Sequence, residues 1–127
     1  MNRDTIVLFD CGDTLVDESS QVFDEEGVVL RAELIPGTRD MLLRLHDEGY
    51  RMALVADGGK KSFHNILRYQ SIEHLFDALI ISEEVKAEKP DSRMFHAAMK
   101  RLNLHESDKK RIVMIGNNLE RDIAGAN

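Results

Sequence analysis

Cysteine is almost missing from this chain of 127 residues: Cys11 is the only one, which rules out an internal disulfide framework and fits a reducing, cytoplasmic setting. Only two prolines occur, which suits a helix-rich α/β domain better than a loop-rich scaffold. Positive charge is the minority sign. With 17 Lys and Arg against 23 Asp and Glu, the net charge is −6, so nothing resembles the basic footprint of a nucleic-acid or anionic-lipid binder. No apolar run approaches the roughly 18 residues of a membrane-spanning helix. The opening "MNRDTIVLFD" is too short in its apolar part for a signal peptide and has no small-residue cleavage site. Repeats and low-complexity segments are absent. What is present is a core's worth of apolar residues, 43% of the chain, in a length that predicts one domain over residues 1–127.

The pattern along the chain predicts alternating strands and helices. Thr5 to Phe9 is a short branched apolar run, as in a strand buried in a parallel sheet. "SQVFDEEGVVLRAEL" predicts a β-hairpin around "DEEG", with Gly27 supplying a positive φ. Thr38 is the expected cap of a helix from Arg39, with Met41, Leu42 and Leu45 on its apolar face and Gly49 after its end. Further strands are expected over Arg51 to Val55, Ala78 to Ser82 and Arg111 to Ile115. Between them lie a helix capped by Ser62, burying Phe63, Ile66 and Leu67, and one capped by Asp91 or Ser92, burying Phe95, Ala98, Met99 and Leu102. A last helix begins at Leu119. Such alternation predicts βαβ units and a Rossmann-like parallel sheet flanked by helices. Ligands of these sheets bind beyond the carboxyl ends of the strands. The informative segments are therefore "DCGDT", "ADGGK", "SEEVKAEKP" and "GNNLERD".

Asp10 ends the first strand. Alone it reads as easily as a cap or strand stop. Together with Lys89 before the third helix, Gly116 after the fourth strand and Asp122 beyond it, it suits a nucleophilic carboxylate working on a phosphoryl group beside a hard divalent cation. In that order, "FDCGDTLVD", "LVADG", "EKPD" and "GNNLERD" resemble the four motifs of the haloacid dehalogenase-like (HAD) hydrolase superfamily, over nearly the whole chain. The resemblance implies that Asp10 is a nucleophile forming a phospho-aspartyl intermediate, that Lys89 holds the phosphate and the nucleophile, and that Thr14 fixes the loop. It places Ala56, Asp57 and Gly58 at the phosphate. It implies Mg²⁺ held by Asp10, the backbone carbonyl of Gly12, Asn117 and Asp122. The hairpin, within residues 15–35, takes the place of the family's mobile flap.

The chain departs from the pattern at three points. The family's phosphatases carry a second Asp two residues after the nucleophile as general acid and base; here that residue is Gly12. Asp13, one residue further on, is either a displaced acid or a polar loop residue, since adjacent side chains of an extended loop point apart. Lacking the acid, the site is expected to favour acyl, anhydride or aryl phosphates, whose leaving groups need no proton. Second, Ala56 has no hydroxyl for the phosphate, leaving backbone N–H groups of Asp57 and Gly58 as donors; Asp57 itself reads equally as a solvent-facing turn residue. Third, Asn117 replaces an acidic metal ligand, which weakens Mg²⁺ binding.

The insertion after the first motif is too short for a sizeable cap, so the resemblance is to a capless member with an open site. A phosphorylated small molecule or phosphoprotein is the expected substrate, with no nucleic acid or membrane partner. Haloacid dehalogenase-like carbon–halogen hydrolysis and a non-catalytic binding or regulatory role are the alternatives. The sequence stops at "DIAGAN", where the family continues into a fifth strand. The expectation is a truncated core whose fourth strand is an exposed edge able to pair in a homodimer. Cys11, beside the nucleophile, is expected to point into the core. The five histidines are scattered without metal-ligand spacing.

Overall fold

The computed structural model describes residues 4–89 and 91–116. The expectations for Asn117, Asp122 and the final helix lie outside the described residues. Among those described, four strands form one parallel sheet in the order β5-β4-β1-β6. They are β1 (Ile6–Phe9), β4 (Arg51–Ala56), β5 (Ala78–Ile81) and β6 (Ile112–Ile115). The run Ile-Val-Leu-Phe of β1 is buried on both faces, as expected for a central strand of a parallel sheet. Its neighbours pair in register, Leu8 opposite Ala53 on one side and Met114 on the other.

Side-chain alternation divides the core into two layers. Val7, Phe9, Met52 and Leu54 point to one face, against Leu42 of α1 (Thr38–Asp47) and Ile66 and Leu67 of α2 (Lys60–Tyr69). Ile6, Leu8, Ala53 and Val55 point to the other, against Met94, Phe95, Ala98 and Met99 of α4 (Ser92–Arg101). The apolar faces of all three long helices are those the sequence predicts. A four-residue helix, α3 (Ser82–Val85), follows β5 where only a loop was expected.

Two expected caps differ. Thr38 is the first residue of α1 and is buried; Gly37, at φ 90°, precedes it without a side-chain cap. Ser62 lies inside α2, which starts at Lys60, and its hydroxyl accepts the Val29 N–H at 3.0 Å. That bond belongs to the hairpin of β2 (Val22–Phe23) and β3 (Val29–Arg31). Asp24 closes the hairpin by accepting the N–H groups of Glu26 and Val28, and Gly27 sits at φ 84° as predicted. Asn65 donates to the Val29 carbonyl at 2.9 Å and buried Gln70 to that of Ala32 at 2.7 Å, so α2 holds the hairpin along its length. At the end of α1, Gly49 (φ 86°) and Tyr50 donate to the carbonyls of His46 and Leu45, a Schellman ending with glycine in the left-handed place. No helix among the described residues is long and apolar enough to cross a membrane.

Candidate active site

The chain runs β1 to β4 to β5 in one direction across the sheet, then returns to place β6 on the other side of β1. The point where strand order reverses opens a crevice at the carboxyl edge. Asp10, the residue after β1, stands there, and its N–H donates to the Ile115 carbonyl at 2.9 Å. Its Oδ1 accepts the Cys11 N–H at 2.8 Å and lies 3.3 Å from Lys89 Nζ. Both contacts fall on one oxygen and fix the rotation of the carboxylate. Lys89 is only 5% exposed and Asp10 15%, so their charges meet with little water between them. An ammonium is rarely buried so deeply without a charged partner.

Lys89 is brought to the site from two directions. The Asp57 carboxylate accepts the Lys89 N–H at 2.9 Å. Just beyond, Asp91 caps α4 by accepting the Arg93 N–H at 2.9 Å. Asp57 is thus half-buried and turned into the site, in place of the solvent-facing turn residue that was the other reading. Of the other two residues assigned to phosphate, Ala56 is fully buried in the core and presents no side chain to the cleft. The Gly58 N–H is already donated to Ser82 Oγ at 2.7 Å, which removes it as a phosphate donor. Gly58 has a different use. At φ 148°, a Cβ there would lie 2.9 Å from the Phe63 ring, so glycine lets the ring close over the loop.

The loop after Asp10 is a tight turn around one carbonyl. Cys11 O accepts the N–H groups of Thr14, Leu15 and Val16 at 3.2, 2.8 and 3.1 Å. Thr14 takes part through its backbone; its Oγ1 is buried without a hydrogen-bond partner among the described residues. Asp13 sits at φ 55°, a conformation Asp tolerates better than most side chains. It is exposed, is absent from the cleft lining, and accepts the Glu18 N–H at 3.0 Å. The structure therefore places it as a loop-fixing residue and not as an acid aimed at the crevice. The Cys11 side chain is fully buried, as expected. Burial first, then the neighbouring charges of Asp10 and Glu18, push its thiol up to about 12.

Glu18 was not among the expected residues. It lies on a 3-10 turn (Glu18–Ser20) whose cap, Asp17, accepts the Ser19 N–H. Its carboxyl group sits against Gly12. Desolvation against the loop, then the charges of Asp13 and Asp10, raise its pKa above the ordinary value. The only sequence signal was the Asp-Glu-Ser-Ser cap pattern, which announces a turn but not its direction. Asp10, Gly12, Glu18, Asp57, Phe63 and Lys89 line one cleft of about 680 Å³, with Gln21 and Val29 of the hairpin region on its wall.

Asp10, the Gly12 carbonyl and Glu18 offer oxygen donors at this edge of the cleft. Mg²⁺ takes one or two carboxylates and fills its octahedron with water and substrate, so this donor set fits a hard cation. Among the described residues no group of three His, Cys, Asp or Glu gathers as a metal cluster.

A family model described as haloacid dehalogenase-like hydrolase matches residues 14–127. Glyceraldehyde 3-phosphate phosphatase of Pyrococcus abyssi is 37% identical over 93 residues, 72% of this chain and 37% of that protein. (S)-2-haloacid dehalogenase of Pseudomonas fluorescens is 31% identical over 81 residues, 64% of this chain and 34% of that protein. The chain thus matches less than two fifths of the length of these curated relatives. Among solved structures, a HAD-superfamily hydrolase from Ehrlichia chaffeensis superposes with a TM-score of 0.81, at 19% identity, over 99% of this chain and 84% of that one.

Proposed function

The chain belongs to the haloacid dehalogenase-like hydrolase family, and on that premise we propose that it is a Mg²⁺-dependent phosphatase acting on phosphorylated small molecules through Asp10. The observation that carries the reading is the Asp10–Lys89 pair, buried at 3.3 Å where the strand order reverses. A carboxylate held on one oxygen by an ammonium and a backbone N–H is pre-oriented for attack on phosphorus. Its ammonium partner is also placed to offset charge on the phosphoryl oxygens. Mg²⁺ held by Asp10, the Gly12 carbonyl, Asn117 and Asp122 would neutralise the phosphoryl group's negative charge. Lys89 pairs with Asp10, Asp57 accepts the Lys89 N–H, and the hairpin and Phe63 wall off one side of the cleft. A phosphorylated three-carbon sugar is the first substrate to try, since relatives with that activity align over most of the chain.

The test is release of inorganic phosphate from glyceraldehyde 3-phosphate with and without Mg²⁺, for wild type and Asp10→Asn. The expected result is Mg²⁺-dependent release that falls to background in Asp10→Asn. Release that survives the substitution contradicts the reading. Halide release from a 2-haloacid without Mg²⁺ would replace it with carbon–halogen hydrolysis by the same carboxylate.

A further inference from the structure

Position 12, where the family's phosphatases carry a proton-transferring carboxylate, is glycine in this chain, yet the space beside it is filled. A Cβ built on Gly12 would lie 1.9 Å from Glu18 Oε1, 2.8 Å from Cδ and 3.1 Å from Cγ. The Glu18 carboxyl group thus occupies the volume that a side chain at 12 would need. Glu18 is exposed, and the loop fixes its backbone. Asp13, in its left-handed conformation, accepts the Glu18 N–H, and an isolated bridge ties Gly12 to Val16. Glu18 lines the same cleft as Asp10 and Lys89. The other carboxylates nearby are engaged differently: Asp13 is outside the cleft, and Asp57 receives the Lys89 N–H.

We infer that Glu18 is the proton-transferring residue of this site, replacing from the 3-10 turn the carboxylate absent at position 12. The inference rests on the phosphatase reading above. In the first step an Asp10 oxygen bonds to phosphorus as the bond from phosphorus to the leaving oxygen breaks, and protonated Glu18 gives its proton to that oxygen. In the second, the Glu18 carboxylate takes a proton from water as the water oxygen bonds to phosphorus. The bond from phosphorus to Asp10 then breaks, releasing inorganic phosphate and restoring both residues. A side chain at 12 and the Glu18 carboxyl group cannot share this space as it stands, so one placed at 12 would turn the end of the Glu18 side chain aside. Alkyl phosphates, which need a proton on the leaving oxygen, are then substrates alongside aryl phosphates.

The experiment compares glycerol phosphate with 4-nitrophenyl phosphate for wild type, Glu18→Gln, Glu18→Ala and the Gly12→Asp/Glu18→Ala double variant, all in Mg²⁺. Folding is checked by circular dichroism. Acid-quenched samples are weighed for phosphorylated protein. General acid–base help is worth about 10²–10⁴ in rate. Glu18→Gln is therefore expected to lose about 10²-fold or more on the alkyl ester, to lose much less in the first step on the aryl ester, and to accumulate phosphorylated protein. The double variant regains about 10-fold or more over Glu18→Ala. An unchanged alkyl-to-aryl ratio in folded Glu18→Gln overturns the inference and leaves the phosphatase reading intact. A wild type inactive on both esters overturns the two together.

Discussion

Cys11 sits between Asp10, the proposed nucleophile, and the glycine of the tight turn, yet its own chemistry is turned off. The thiolate is the reactive form of cysteine, and burial beside two carboxylates pushes this thiol up to about 12. In the folded protein at neutral pH, a disulfide reagent is expected to leave Cys11 untouched, and to modify it fully once denaturant is added. Fast labelling of the native protein would show that the Asp10 turn opens readily. Asp10 and Lys89 were legible because each follows a strand or precedes a helix by a fixed step, and a parallel sheet brings such positions to one edge. Glu18 was not legible. It reaches the cleft only because three N–H groups converge on the Cys11 carbonyl and Asp13 adopts a positive φ. No spacing rule carries that reversal. Gly58 misled in the opposite sense. Its N–H is a plausible phosphate donor in sequence, but the Ser82 hydroxyl, distant in the chain, takes it.

At the scale of elements, the turn that carries Lys89 depends on how α4 begins. Asp91 caps the helix and pairs with Arg93 at 2.7 Å. Hydrogen bonding from the Arg93 side chain first, then from its backbone N–H, lowers the Asp91 pKa from 3.8 to about 2. A carboxyl whose folded pKa is depressed contributes stability that is complete above its unfolded value and is lost as pH falls through the folded one. Asn retains the cap without titrating. The stability advantage of wild type over Asp91→Asn is therefore expected to shrink as pH falls from about 4 to about 2, read from urea midpoints at each pH. A constant difference across that range would mean that the ionised cap is not formed in solution. Strands and apolar helix faces were readable within a residue or so, because burial imposes their periods. The caps at Thr38 and Ser62 were not. Gly37 enters α1 at a positive φ that needs no side-chain acceptor, and the Ser62 hydroxyl is taken by Val29 of the hairpin. Both outcomes are set by contacts between elements and not by local propensity.

At the scale of the whole molecule, the described residues form a parallel sheet with two long helices on one face and one on the other, and its strand order makes the crevice that holds Asp10 and Lys89. The reversal of strand order goes with the change of helix face, α1 and α2 packing on one side of the sheet and α4 on the other. What the whole fold adds is the hairpin. Packed along α2 through Ser62, Asn65 and Gln70, it stands as a wall of the cleft. The account's central claim is that phosphorus is transferred first to Asp10. It is tested most directly by mixing protein, Mg²⁺ and a phosphorylated substrate, quenching in acid within one turnover, and locating any added phosphoryl group by tandem mass spectrometry. The account predicts a phosphoryl group on Asp10 in wild type and none on the corresponding peptide of Asp10→Asn. Steady release of inorganic phosphate with no phosphoryl group on Asp10 at any quench time would contradict it.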